Sequence, residues 1–243
     1  MKSAARLALL FPLLAAAFAS AAPAVLLSGE RLLLEVEAEP YRYRLIDRDT
    51  GSVVLAHRES SFRRKGRTGR LLAAAVEEQG PDGVRLRVGS TSGGLCARVR
   101  FSFAAPQVLR VEVSCPVALS DRERERKSFA CREVFQDAGQ HYYGVSMYPA
   151  GGGLDNRGRR LELEGGHLLQ KGGDWFSVRA PFYFTRPSAG ATGGSYGIWV
   201  NSSWRGRFAF ALAGETWFEF DDSSLDYYVF CADTYAELLG LYA

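Results

Sequence analysis

The sequence predicts an all-β protein with the architecture of an antiparallel β-sandwich. Beyond residue 22, apolar and polar residues alternate along most of the chain, which is typical of strands with one face in a core and the other in water. Glycine-rich breaks separate the alternating segments, and 26 of the 243 residues are glycine. Only the segments 71–79 and 234–242 have patterns that predict helical turns. Many short strands with little helix indicate a sandwich or a barrel.

The predicted strands begin near residue 32. Six segments in the first half of the chain alternate in this way: 32–37, 41–46, 52–55, 84–88, 97–103 and 109–113. The sequence DRDTG at 47–51 predicts a turn between two of these strands. No repeat of fixed period and no Pro- or Ser-rich linker interrupts the chain, so one domain is expected over residues 22–243.

Composition and charge exclude several classes of protein. Apolar residues make up 47% of the chain and charged residues 23%, which argues against disorder and against a coiled coil. The 30 Lys and Arg residues exceed the 27 Asp and Glu residues by only three. This surplus is too small to indicate a nucleic acid or an anionic membrane surface as a partner.

Residues 1–21 have the features of a secretory signal peptide. Lys2 and Arg6 precede a 12-residue apolar stretch at 7–18, and the small residues ASAAP follow it. This order predicts export, with cleavage after Ala21. The stretch is shorter than the roughly 20 residues that a membrane-spanning helix requires. We therefore expect a secreted or otherwise extracytoplasmic protein with no membrane anchor after cleavage.

An exported chain also raises the question of disulfides. The four cysteines are Cys96, Cys115, Cys131 and Cys231. They allow three connectivities, and an oxidising compartment favours pairing. A hairpin around residues 104–107 can place Cys96 opposite Cys115, but that register mixes core and solvent faces. A shift by one residue aligns Phe101 with Val111 and separates the two cysteines, so the apolar register is predicted and the connectivity stays open.

Four motifs follow one another in the second half of the chain. They are FQDAGQHYYGV at 135–145, GLDNRGRRLEL at 153–163, VRAPFYF at 178–184 and GSYGIWVNS at 194–202. In this order they resemble the N-terminal domain of glycoside hydrolase family 31, the α-glucosidase and α-xylosidase family. Its pattern is approximately E-x-F-Y-G-x-G, L-x-x-R-G-R-R-Y-x-L-W-N-T-D, I-P-F-x-x-S and Y-G-x-x-x-D-N. The last residues, 225–239, resemble the strand and short helix that lead into the barrel of that family.

The resemblance implies a galactose-mutarotase-like supersandwich, in agreement with the alternating pattern. It also implies an accessory, carbohydrate-binding domain of an enzyme that hydrolyses O-glycosyl bonds. In that family the nucleophile and the acid/base are aspartates on the (β/α)8 barrel that follows. This chemistry needs two carboxyl groups about 5–5.5 Å apart. We therefore expect a chain truncated before its barrel and inactive alone, with an α-glycoside as substrate of the full-length enzyme, no catalytic residue of its own, no cofactor and no metal ligand.

The resemblance also indicates where sugar contacts are expected. In the family, the loop after the Arg-Gly-Arg-Arg strand contacts sugar hydroxyls at the mouth of the barrel. Its Trp-Asn-Thr-Asp sequence falls on EGGH at 164–167, where none of the four residues is retained. Glu164 and His167 can still form hydrogen bonds with a sugar. Together with Asp155 and Trp204, they are the candidate carbohydrate contacts.

Other residues near these motifs have simpler interpretations. Arg157 and the arginines that follow it are expected to form ion pairs with nearby acids such as Asp155, rather than to bind phosphate. His141 is expected to be a structural histidine. Asn201 begins an Asn-Ser-Ser sequence and is a candidate site of N-glycosylation.

Three functions are compatible with these features. An accessory domain predicts an exposed apolar patch where a barrel docks. A free-standing secreted carbohydrate-binding module requires a groove with an exposed aromatic side chain and several polar groups. An aldose-epimerase-like enzyme requires a histidine and a glutamate facing each other across a sugar ring. Only His57, His141 and His167 are available for that chemistry, and no glutamate motif surrounds them.

Overall fold

A computed structural model describes residues 25–91, 96–116, 129–146, 154–163, 179–188 and 194–242. Within these ranges the chain forms 16 strands and one helix. The first eight strands are β1 (Val25–Ser28), β2 (Leu32–Ala38), β3 (Tyr41–Asp47), β4 (Val53–Arg64), β5 (Arg67–Gly80), β6 (Gly83–Ser90), β7 (Cys96–Ala105) and β8 (Val108–Ser114). The others are β9 (Phe129–Gln136), β10 (Gln140–Ser146), β11 (Arg160–Leu163), β12 (Arg179–Pro187), β13 (Tyr196–Val200), β14 (Gly206–Leu212), β15 (Glu215–Phe220) and β16 (Ser224–Cys231), and the helix is α1 (Tyr235–Tyr242).

The strands form the two layers of an antiparallel sandwich, as the alternating pattern predicts. The first layer has the order β10-β12-β13-β16-β8-β7-β6-β5, and the second has the order β5-β4-β9-β15-β14-β11. Strand β5 belongs to both layers, because residues 67–70 pair with β4 and residues 71–80 pair with β6. Strands β1, β2 and β3 extend the sheet from the first half of β4. The described strands thus enclose one continuous core.

Aromatic side chains from both layers fill this core. Tyr227 of β16 has edge-to-face contacts with Phe218 of β15 and Phe135 of β9, with ring centroids 5.2 Å and 6.5 Å apart. Tyr183 of β12 contacts Phe210 of β14 in the same way, at 5.1 Å. All five rings are fully buried. Because each buried aromatic ring removes a large apolar area from water, these contacts hold the two layers together.

The hairpin of β7 and β8 adopts the register that the apolar residues predict. Phe101 pairs with Val111 and Val99 pairs with Val113, so apolar side chains share the inner face. Cys96 is not opposite Cys115 in this register. The four cysteines are free thiols in the structure.

The helix predicted at 234–242 is confirmed as α1, which lies on the outer face of the first layer. Its Leu238 is buried, and its Tyr242 stacks on Phe182 of β12 with ring centroids 4.2 Å apart. Tyr235 has an edge contact with Phe184 of the same strand at 5.3 Å. Among the described residues, no helix is long and apolar enough to cross a membrane.

The helix predicted at 71–79 is wrong. These residues belong to β5 and pair with β6 from Leu71 opposite Ser90 to Gly80 opposite Gly83, with two irregularities in register. The run LLAAAVEE is rich in residues with good helix propensity. Hydrogen bonding along β6 outweighs that preference, since propensity is a weak determinant when a long strand partner is available.

Gly144 offers a test of the contact between β10 and β12. Its φ is +100°, and a Cβ atom there would lie 2.6 Å from the carbonyl oxygen of Phe182. Gly144→Ala should therefore lower the free energy of unfolding by about 3 kcal/mol, through left-handed strain together with a backbone clash. Urea denaturation measures this loss.

The matched control is Gly214→Ala in the turn between β14 and β15. Gly214 also has a positive φ, +78°, but a Cβ atom there would meet nothing within 4 Å. This variant carries only the conformational cost, about 1 kcal/mol. Equal losses in the two variants would contradict the described packing of β10 against β12.

Candidate functional site

Residues 154–158 precede β11, and the resemblance places the segment after β11 near a sugar. Residues 154–158 lie along the open edge of β10. The backbone N–H of Asn156 donates to the carbonyl of Tyr142 at 2.7 Å, and the Asn156 side-chain amide donates to the carbonyl of Gly144 at 2.9 Å. The N–H of Gly158 donates to the carbonyl of Phe210 in β14 at 2.8 Å. Residues 154–158 therefore bridge β10 of the first layer and β14 of the second.

A bidentate ion pair fixes this bridge to the turn before β10. Arg157 donates from Nη1 to Asp137 Oδ1 at 3.1 Å and from Nη2 to Asp137 Oδ2 at 2.7 Å. Nη1 also donates to the carbonyl of Gln140 at 2.6 Å. The hydroxyl of Tyr142 donates to Asp137 Oδ1 at 3.0 Å. Two parallel charged hydrogen bonds set both distance and orientation, so this pair positions the segment more firmly than a single contact would.

A second carboxylate, Asp155, holds His141. The Nδ1 atom of His141 lies 2.6 Å from Asp155 Oδ2, and the His141 side chain is 40% exposed. Asp155 Oδ1 accepts hydrogen bonds from the backbone N–H groups of Tyr142 and Arg157, both at 3.0 Å. His141 is thus oriented by a carboxylate.

The pKa values of both carboxyl groups, Asp137 and Asp155, lie below the ordinary value of an aspartate. Partial burial opposes ionisation of Asp137, but the hydrogen bonds from Arg157 and Tyr142 outweigh it and hold the pKa of Asp137 below its ordinary value. Partial burial acts on Asp155 in the same sense, and the contacts with His141 and two backbone N–H groups lower its pKa overall. The hydrogen bond to Asp137 raises the pKa of Arg157. Both carboxylates therefore accept their hydrogen bonds from within the protein.

The sequence correctly predicted ion pairing of Arg157 but identified the wrong acid. Asp155 contacts the backbone N–H of Arg157, while the guanidinium group pairs with Asp137. The sequence analysis did not single out Asp137, the partner of the Arg157 guanidinium group. Its signal was available in the sequence Asp-Ala-Gly before β10, since an aspartate in such a turn accepts backbone N–H groups, as it does here from Gly139 and Gln140.

Of the other candidate contacts, only Trp204 lies among the described residues. Trp204 follows β13 and is 36% exposed. Glu164 and His167 lie outside the described residues. Asn201, the candidate glycosylation site, is exposed, and its side-chain amide donates to Asp226 Oδ2 at 2.9 Å.

A cavity of about 470 Å³ opens beside the turn that contains Asp137, near the start of β4. Val54 and Leu55 contribute an apolar wall, and Arg44, Gln136 and Gln140 contribute polar groups. Gln140 is buried, and its side-chain amide donates to the carbonyl of Gly194 at 2.8 Å. In the described part of the chain, no group of three or more Asp, Glu, His or Cys residues could hold a metal ion.

The described histidines do not have the geometry that aldose epimerisation needs. His57 is buried in the core, and its Nε2 atom lies 3.1 Å from Glu133 Oε2. Ser60 donates to the same glutamate oxygen at 3.0 Å. A sugar ring cannot enter between two groups that are already in contact. His141 is likewise in direct contact with Asp155.

Comparison with solved structures finds carbohydrate-active enzymes. The cycloalternan-forming enzyme from Listeria monocytogenes, solved with a pentasaccharide substrate, matches with a TM-score of 0.51 and 13% identity, over 86% of this chain and 25% of the enzyme. A family 31 sulfoquinovosidase from E. rectale matches with a TM-score of 0.46 and 14% identity, over 88% and 33% of the two chains. A family 31 dextranase from Flavobacterium johnsoniae matches with a TM-score of 0.40 and 15% identity, over 90% and 27%.

The match to the cycloalternan-forming enzyme shows a shared fold, which confirms the predicted sandwich. The chain spans only a quarter to a third of the length of these three enzymes. No family model matches the chain, and no curated protein matches it.

The ion pair of Asp137 leads to a pH-dependent prediction. Because the pKa of Asp137 is lower in the folded state, its stabilising effect is present above about pH 4, the ordinary value, and is lost as the pH falls through the folded-state pKa. Asp137→Asn should lower the free energy of unfolding by about 2–3 kcal/mol at pH 7, and the difference from the unmodified chain should shrink below pH 4. Urea denaturation at pH 7, 5 and 3 measures both effects.

Asp82→Asn is the matched control, because Asp82 is exposed in the turn between β5 and β6. This substitution should leave stability within about 0.5 kcal/mol of the unmodified chain at each pH. A pH-independent loss in Asp137→Asn would show that the carboxylate does not act through its charge.

Proposed function

We propose that this chain acts as the N-terminal accessory domain of an α-glycosidase of family 31, whose catalytic carboxylates lie on a barrel formed by further polypeptide. The motifs in their family order and the sandwich fold support this assignment. The shared fold over 25% of the cycloalternan-forming enzyme is compatible with one domain of a larger enzyme. The proposal includes export of the chain, which the leader-like residues 1–21 support.

The observation that carries the proposal is an apolar stripe along α1 that packs on Phe182 and Phe184 of β12 and is still partly exposed. Tyr235, Leu239 and Tyr242 are 37%, 47% and 39% exposed. Their spacing of four and three residues places them on one side of the helix. An accessory domain is expected to expose such a patch, because docking of a partner domain removes it from water.

The bridge at residues 154–158 supplies the second part of the proposed role. In family 31, the segment that follows this motif contacts sugar hydroxyls at the mouth of the barrel. The bidentate pair of Arg157 and Asp137 and the hydrogen bonds of Asn156 and Gly158 hold the residues before β11 on two strands from different layers, and that segment follows β11. A fixed position of the strand that leads into a contact segment favours one bound substrate over many.

Two measurements test the accessory-domain proposal. The purified chain should release no detectable aglycone from aryl α-glucosides, because the proposal assigns both catalytic aspartates to the barrel. The genomic sequence downstream of codon 243 should continue in frame and encode a barrel with two suitably placed aspartates. Turnover by the chain that a substitution within it abolishes, or a supported stop codon with an expressed product, would contradict the proposal.

Exposure of Trp204 and the cavity lined by Arg44 and Gln140 favour a second candidate, a free-standing carbohydrate-binding module. If this candidate holds, the chain binds immobilised glycans, and Trp204→Ala reduces that binding at least fivefold, since stacking of an aromatic ring on a sugar is lost. Leu154→Ala is the control, because Leu154 is also apolar and is 72% exposed. No binding by the unmodified chain on a glycan array would exclude this second candidate.

A further inference from the structure

Cys231 is separated from the other cysteines by the length of a strand. The N–H of Cys115 donates to the carbonyl of Ser223, immediately before β16, at 2.9 Å. Cys231 is the last residue of β16, and its N–H donates to the carbonyl of Gln107 at the opposite end of the β8–β16 pair. Eight residues of strand correspond to about 26 Å. A disulfide requires Cα atoms about 4.4–6.8 Å apart, so Cys231 cannot pair with Cys115.

Cys96 lies near Cys115 but points to the other face of the sheet. Strand β7 alternates regularly, and Ala97 and Val99 are fully buried in the core. Cys96 is therefore on the outward face, together with the exposed Arg98. Cys115 is 5% exposed and belongs to the core, so the two side chains leave the sheet in opposite directions.

Cys131 in the second layer and Cys115 in the first both point into the core, and they lie at the same end of it. Cys131 is fully buried in β9, on the face that also contributes Phe129 and Phe135 to the core. It pairs with Phe220, the last residue of β15. Both cysteines are thus neighbours of the short connection from β15 to β16.

That connection is a corner of the sandwich. Only residues 221–223 separate β15, in the second layer, from β16, in the first. Strand β5 also passes from the second layer to the first. At this crossing Arg70 of β5 pairs with Ser61 of β4, and the next residue, Leu71, pairs with Ser90 of β6. Layers converge where strands change from one sheet to the other. Cys115 and Cys131 both belong to the core cluster beside this corner, one on each layer.

We propose that Cys115 and Cys131 form a disulfide between the two layers when the chain folds under oxidising conditions, and that Cys96 and Cys231 remain thiols. One thiolate attacks glutathione disulfide, releases one glutathione and forms a mixed disulfide. The second thiolate then attacks the protein sulfur of that mixed disulfide and releases the second glutathione. The two protein thiols lose two protons and two electrons, and the glutathione disulfide becomes two glutathione thiols.

Burial determines when this reaction can take place. Burial raises the pKa of the Cys115 thiol to about 11, and burial together with nearby negative charge raises that of Cys131 well above its ordinary value. A buried thiol that stays protonated reacts slowly, because the thiolate is the nucleophile. The disulfide is therefore expected to form during folding, before the core closes, and to resist mild reductants afterwards.

The test is to refold residues 22–243 from denaturant in a glutathione redox buffer, to block free thiols with iodoacetamide in denaturant, and to digest without reduction. We expect mass spectrometry to identify one linked peptide pair, containing Cys115 and Cys131, with alkylated Cys96 and Cys231. A link to Cys96 or Cys231, or alkylation of all four cysteines, would overturn the proposal.

Variants keep the test decisive if one substitution impairs folding. The double variant Cys96→Ser with Cys231→Ala should retain the disulfide between Cys115 and Cys131. Its melting temperature in the oxidised form should equal that of the unmodified chain. Reduction in denaturant followed by refolding with dithiothreitol should lower the melting temperature of both this variant and the unmodified chain by about 5–10 °C, but should not change that of Cys115→Ala. Equal melting temperatures of the oxidised and reduced forms of the double variant would contradict a stabilising cross-link.

Discussion

Burial of aromatic side chains between the two layers is the interaction on which the rest of the structure depends. Tyr183 packs against Phe210, and Tyr227 packs against Phe218, across the core. Because side chains alternate along each strand, a shift of one residue would turn such rings into water and bring residues such as Arg100 of β7 into the core. Aromatic packing therefore sets the register of the strands as well as their stability.

The same core contains a buried carboxyl group, that of Glu133, which depends on hydrogen bonds from neighbouring side chains. Glu133 is fully buried and contacts His57 and Ser60, and the hydroxyl of Tyr227 donates to its Oε2 at 3.3 Å. Tyr43 stacks on the His57 ring with centroids 4.3 Å apart. A buried carboxylate without such partners would be strongly destabilising, so these residues act as one unit. Their full burial makes them part of the architecture rather than of a sugar site.

The proposed function depends on the contacts that cover the open edge of β10. Residues 154–158 satisfy backbone groups on β10 and connect it to β14, and the Arg157–Asp137 pair holds them there. This closure joins the two layers immediately before β11. The apolar stripe of α1 lies on the outer face of the first layer, so docking of a partner domain there leaves the aromatic core intact.

The sequence by itself determined the fold class, the register of β7 with β8 and the helix near the end of the chain, because alternation and apolar spacing are local patterns. Only the tertiary structure decided that residues 71–79 form a strand, since β6 provides hydrogen-bond partners that outweigh local helix propensity. It also decided that Arg157 pairs with Asp137, twenty residues away, and that Cys131 shares a core face with Cys115. The packing of strands from two layers determines which of these residues become neighbours. Spacing along the chain does not predict that packing.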